Sequence, residues 1–130
     1  MKLHHIGYLV NDIQKALNIF VNMGFEESSK LIIDNRRGIY ILFLKNDNVI
    51  FELISPMDSQ SVVGNLLKKI GSSPYHTAYL TSDIEQSITE MNKKGFKVII
   101  EPQEAIAFDN KLVCFMYHTS IGMVELIETN

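Results

Sequence analysis

The stretch Leu3-His4-His5-Ile6-Gly7-Tyr8-Leu9-Val10-Asn11-Asp12-Ile13 returns later in the chain as Tyr75-His76-Thr77-Ala78-Tyr79-Leu80-Thr81-Ser82-Asp83-Ile84. Aligning the two pairs His5 with His76, Tyr8 with Tyr79, Asp12 with Asp83, Gly24 with Gly95 and Phe25 with Phe96, each about 71 residues apart. Further on, Ile50-Phe51-Glu52-Leu53-Ile54 matches Met123-Val124-Glu125-Leu126-Ile127 at a spacing of about 73. Two copies are too few for a solenoid, which needs about three or more. The pattern is that of a single domain, residues 1–130, made of two similar halves.

Each half spells the same order of elements. Leu3 to Val10 is apolar, rich in strand formers, and closed by Asn11-Asp12. Asp12 is a helix N-cap, and Ile13, Ala16, Leu17, Phe20 and Val21 follow at helical spacing until Gly24 stops the helix. Phe25 to Ile33, Ile39 to Leu44 and Val49 to Ile54 are expected strands, separated by the turns Asp34–Gly38 and Lys45–Asn48. Val62, Val63, Leu66, Leu67 and Ile70 predict a connecting helix that ends at Gly71. The second half repeats the first: strand Tyr75–Leu80, helix Ile84–Lys94 behind Asp83, and strand Phe96–Ile100. A loop from Glu101 to Asn110 then leads to strands Leu112–Tyr117 and Gly122–Ile127. The fold class is α+β, two tandem βαβββ modules at about 1–56 and 73–130 with the connecting helix between.

Composition excludes several functions. A net charge of -3 with scattered basic residues argues against a dedicated nucleic-acid binder. The apolar run Ile39 to Leu44 is far short of a membrane span, and His4, His5 and Asn11 break any early signal-peptide core. Cys114 is the single cysteine, so no intrachain disulfide forms, which fits a reducing cytoplasm. Its apolar surroundings point to a structural thiol.

Four residues carry the functional reading. Strand side chains alternate between faces, so His5 shares a face with Leu3, Gly7 and Leu9, while His4 takes the other. Glu52 and Glu125 sit among apolar neighbours, where a buried carboxylate needs a partner or a metal. Two imidazoles and two carboxylates, one of each per half, suit a borderline divalent ion such as Ni²⁺, Co²⁺, Zn²⁺, Fe²⁺ or Mn²⁺. The expected metal ligands are therefore His5, Glu52, His76 and Glu125, one ion per site. His118, beside the turn Thr119-Ser120, is expected at the surface.

These motifs, His5-Ile6-Gly7, Tyr75-His76-Thr77-Ala78, Phe51-Glu52-Leu53-Ile54 and Val124-Glu125-Leu126-Ile127-Glu128, resemble the vicinal oxygen chelate superfamily. That superfamily includes glyoxalase I, methylmalonyl-CoA epimerase, extradiol dioxygenases and bleomycin-resistance proteins. The resemblance implies the glyoxalase/bleomycin resistance/dioxygenase fold, with strands curled around a metal site, a small-molecule substrate and a homodimer. It implies proton transfer next to a carbonyl, with Glu125 as the base, Glu52 its symmetric counterpart, and the metal stabilising an enediolate as a Lewis acid. The short chain resembles compact bacterial glyoxalase I, so the expected reaction is lactoylglutathione lyase chemistry on the hemithioacetal of methylglyoxal, with nickel, cobalt or zinc the expected metal. Several bacterial glyoxalases carry an arginine where this chain has Leu9, and the stretch from Asp58 to Ser61 is more epimerase-like. Methylmalonyl-CoA epimerase is thus the alternative, and a non-catalytic binding or resistance protein the second. Arg36, Arg37 and Lys111 flank strands and are candidates to grip a carboxylate or phosphate.

Overall fold

A computed structural model of the chain describes residues 1–129, with three helices and nine strands among them. Backbone proximity divides the chain into two compact units: His5–Tyr75, and Met1–His4 together with the chain from His76 onward. The connecting helix belongs to the first of these by sequence. No helix of the described residues is long and apolar enough to cross a membrane.

In the first half, β1 (Lys2–Leu9) leads into α1 (Ile13–Asn22), followed by β2 (Glu26–Glu27), β3 (Ile32–Asp34), β4 (Ile39–Asn46) and β5 (Val49–Pro56). The strands run in the order β2-β4-β5-β1, with β3 also on β4. β1 and β5 are parallel, whereas β4 and β5 form an antiparallel hairpin. Helix α1 starts where Asp12 accepts a hydrogen bond from the Lys15 backbone N–H at 3.1 Å. It lays Ile13, Ala16, Leu17 and Phe20 against Leu42, Leu44 and Leu53. Val21, expected on that stripe, is 49% exposed instead, one position past the apolar face.

The expected strand from Phe25 to Ile33 is broken into β2 and β3. Ser29 explains the break: its hydroxyl accepts the Phe43 N–H at 3.0 Å and donates to the Lys30 carbonyl at 2.9 Å. The side chain stands in for backbone in the ladder, so the pairing lapses between the two strands.

Helix α2 (Val62–Ile70) follows, capped by Ser61, which accepts from the Gly64 N–H at 3.0 Å. A Cβ on Gly64 would lie 2.5 Å from the Asp58 carbonyl oxygen and 2.6 Å from that of Ser59, so only glycine fits there. Val62 and Ile70 stay exposed while Val63, Leu66 and Leu67 turn inward.

In the second half, β6 (Ser73–Thr81) leads into α3 (Ile84–Lys93), then β7 (Lys97–Ala105), β8 (Lys111–His118) and β9 (Gly122–Glu128). The strand order is β6-β9-β8-β7, with β6 and β9 parallel and the rest antiparallel. Asp83 caps α3 by accepting from the Gln86 N–H at 3.0 Å. Ile84, Ile88 and Met91 bury against Cys114, Met116, Val124 and Leu126. The expected loop from Glu101 is in part strand, since β7 runs on to Ala105. Pro102 lacks a ladder donor, and β7 accommodates it at the sheet edge with register shifts between Val98 and Ile100 and between Ile100 and Gln103. A 3-10 turn, Ile106–Phe108, closes the connection to β8.

Candidate metal centre

The first half builds one imidazole–carboxylate pair. The parallel register of β1 and β5 sets Gly7 opposite Glu52, and the β4–β5 hairpin sets Phe43 opposite it on the other side. Side chains at paired positions share a face, so Glu52 is flanked by a residue with no side chain and by an aromatic ring. His5, two residues before Gly7, reaches Glu52 with its Nε2 3.2 Å from Oε1. The edge of the Phe43 ring meets His5 at 5.9 Å between centroids.

The second half repeats this. Ala78 lies opposite Glu125 on one side and Phe115 on the other. His76, two residues before Ala78, places Nε2 3.3 Å from Glu125 Oε1, and Phe115 packs edge-on against His76 at 5.3 Å. The small residue, the phenylalanine, the histidine and the glutamate recur in the same relation in both halves.

All four polar residues are buried: His5 and Glu125 are 1% exposed, Glu52 3% and His76 4%. Taking a carboxylate that far from water is unfavourable unless a partner or a cation offsets it, and each glutamate has an imidazole beside it. The four offer one ligand atom apiece, two imidazole nitrogens and two carboxylate oxygens. That donor set fits a divalent ion with mixed nitrogen and oxygen preference.

The remaining sequence candidates fall elsewhere. His118 is half-buried and structural, not a plain surface group. Its Nε2 lies 3.1 Å from the Lys94 carbonyl oxygen, its Nδ1 accepts the Ser120 N–H at 3.0 Å, and its ring leans on Phe96. His4 is half-buried and meets Phe108 edge-on at 5.9 Å. Arg37 is tied to the buried Asp34, whose Oδ2 is 3.9 Å from Nε and whose Oδ1 accepts the Arg37 backbone N–H. Arg36 is exposed. Cys114 is fully buried, and burial, followed by the charges of Glu101 and Glu85, pushes its thiol up to about 11. It is a structural thiol, as its neighbours imply.

Phe43, Phe115, Gly7 and Ala78 escape a reading based on chemically reactive side chains alone. The signal was present: Phe43 and Phe115 are about 72 apart, between the spacings of the histidines and the glutamates.

A family model for the Glyoxalase/Bleomycin resistance protein/Dioxygenase superfamily matches residues 4–115. The chain belongs to this superfamily. Its relatives include the mitochondrial methylmalonyl-CoA epimerase of Bos taurus, 25% identical over 128 residues, covering 96% of this chain and 73% of the relative. The Homo sapiens enzyme of that name is 24% identical over 96% of this chain and 72% of its own length. Among solved structures, a hypothetical protein of Bacillus halodurans superposes with a TM-score of 0.88 at 25% identity, covering 99% of this chain and 94% of that one. The Mycobacterium tuberculosis methylmalonyl-CoA epimerase shares the fold with a TM-score of 0.83 at 23% identity, over 99% and 88% of the two chains. The superfamily and fold expected from the sequence are therefore correct. The Bos taurus, Homo sapiens and Mycobacterium tuberculosis proteins carry the name of the alternative, so the glyoxalase I activity, methylglyoxal and nickel expected first find no specific support.

Proposed function

We propose that this protein is a metal-dependent acyl-CoA epimerase of the methylmalonyl-CoA type, moving the proton on the carbon beside a thioester carbonyl. The observation that carries this reading is the duplicated, buried histidine–glutamate pair, in a chain whose named relatives are epimerases. Inverting a carbon centre calls for a group that takes the proton from one face and a group that returns it to the other. A fold that repeats its carboxylate supplies two such groups.

His5, Glu52, His76 and Glu125 are the residues that would hold the metal. When bound, a divalent ion supplies Lewis-acid stabilisation for the negative charge that develops on the thioester oxygen. The rest is the work of side chains. Glu125 takes the proton: the C–H bond breaks, its electron pair moves into the enolate, and the carboxylate becomes the acid. His76, 3.3 Å away, fixes the direction in which Glu125 points. Phe115 and Ala78 occupy the paired positions on either side of Glu125 and shield the carboxylate while the proton moves. Glu52, oriented in the same way by His5 and protonated from solvent between turnovers, returns its proton to the opposite face. Glu125 then releases to solvent the proton it took.

Glutathione chemistry is less well served. Leu9 occupies the position where several bacterial glyoxalases have an arginine, and it is 0% exposed, so it offers no grip on a carboxylate. The test is hydrogen exchange at the carbon next to the thioester of methylmalonyl-CoA in D₂O, followed by NMR. It uses protein reconstituted separately with Co²⁺, Ni²⁺ and Zn²⁺, with methylglyoxal plus glutathione run in parallel. Metal-dependent deuterium incorporation is expected. Thioester formation from methylglyoxal without exchange would return the assignment to glyoxalase I. One equivalent of metal with neither reaction would make this a binding protein.

A further inference from the structure

The inner face of β8 and β9 is apolar beyond Glu125, and then turns polar at two residues that the reaction does not use. Phe115 pairs with Glu125 and Val113 with Ile127, so all four share one face. Gln103 pairs with Val113 and Lys111 with Ala105, which puts both polar residues on that face as diagonal neighbours. Phe108 packs against the cluster of Ala78, Ala105, Val113 and Ile127.

Three features single these two out. Both are half-buried, and neither makes a side-chain hydrogen bond or ion pair with another described residue. Gln103 follows the second register shift of β7, the kind of irregularity that re-aims a strand side chain. Lys111 follows a tight turn in which Asp109 and Asn110 both hold positive φ, 54° and 63°, with the Asn110 N–H bonded to the Ala105 carbonyl at 2.9 Å. The turn fixes where β8 begins and therefore which face Lys111 takes.

We propose that Lys111 and Gln103 form the subsite for the carrier arm of an acyl-CoA, with Lys111 holding the phosphate and Gln103 an amide of the pantetheine. The inference rests on the acyl-CoA reading of the site. Lys111 lies four residues along β8 from Phe115, about 13 Å at strand spacing. An extended pantetheine arm has the reach of roughly four extended residues, about 14 Å. With its thioester at Glu125, the arm would lie along the apolar strip of Phe115, Val113 and Phe108, and its phosphate would arrive at the ammonium. The distance is too long for the free carboxylate of a methylmalonyl group, whose carbon is bonded directly to the reacting carbon.

The experiment compares pantetheine with 4′-phosphopantetheine by calorimetry, and measures steady-state epimerisation of methylmalonyl-CoA, on the metal-loaded protein and its Lys111→Met, Lys111→Arg and Gln103→Leu variants. Circular dichroism confirms that each variant is folded. The wild type should prefer the phosphorylated arm by about tenfold, the scale of one charge-assisted contact. Lys111→Met should lose that preference and raise KM about tenfold with kcat unchanged, while Lys111→Arg restores both. Gln103→Leu should weaken both arms alike. A Lys111→Met protein with the full preference and an unchanged KM would overturn the assignment while leaving the epimerase intact. A wild-type protein that neither binds the arm nor exchanges the substrate proton would instead remove the epimerase reading itself.

Discussion

Glu125 stands between Val124 and Leu126 in the strongly apolar β9, and its side chain is as deeply buried as theirs. A carboxylate in that position is costly to stability unless a partner or a cation offsets it, and the proposed role is that of the base. Glu125→Gln keeps the shape and removes the base, so kcat should fall by roughly 10²–10⁴ while the melting temperature changes little. A fully active Glu125→Gln protein with unchanged metal content would sink the role given to Glu125. Cys114 makes the opposite case. Its thiol is raised from 9.0 to about 11, so it remains protonated at neutral pH and should resist alkylation at pH 8 until the chain is unfolded. The unfolded chain releases this proton first, so the group's contribution is fully present below pH 9 and is lost as pH rises from about 9 to about 11. Denaturation midpoints for Cys114→Ala, compared with wild type across that window, would show the slope flatten if Cys114 is its source.

At the scale of elements, the helices were the most legible. Asp12 and Asp83 cap α1 and α3 with the same geometry, and Gly24 and Gly95 follow the two helices at φ 102° and 95°. Removing either cap by Asp→Ala should lower stability by about 1 kcal/mol in chemical denaturation. Gly95→Ala should cost more than a cap, because its positive φ is strained for alanine and the new Cβ would lie 3.0 Å from His118 Nε2. Strand limits were less legible. The break at Ser29 arises because a hydroxyl can replace a carbonyl in a ladder, which no hydrophobic pattern reveals. The extension of β7 past Pro102 depends on its being an edge strand, and edge position is a property of the sheet.

For the molecule as a whole, the repeat places a histidine–glutamate pair in each half, and a bound metal would tie its ligands to the folded state alone. At a hundredfold excess over Kd a ligand adds about 2.7 kcal/mol to stability. Exhaustive chelation should therefore lower the melting temperature by roughly 5–10 °C. The drop should be absent in His5→Ala, whose metal content should fall in parallel. A wild-type protein with the same melting temperature and metal content before and after chelation would remove the metal from the proposal.

What the sequence determined by itself was the duplication, and with it the superfamily, the α+β class, the helices and the four residues of the candidate centre. The superfamily came from the resemblance of the motifs around those four residues; the rest is carried by spacing along the chain, and spacing survives without coordinates. What only the tertiary structure decided was which residues stand beside those four. The parallel pairings of β1 with β5 and β6 with β9 put Gly7 and Ala78 against the two carboxylates, and the hairpins bring in Phe43 and Phe115. The register of β7 on β8 likewise turns Gln103 and Lys111 to the face of Glu125. The physical reason is that a one-residue slip in register exchanges the faces of a strand, and register is set by pairing between segments far apart in sequence.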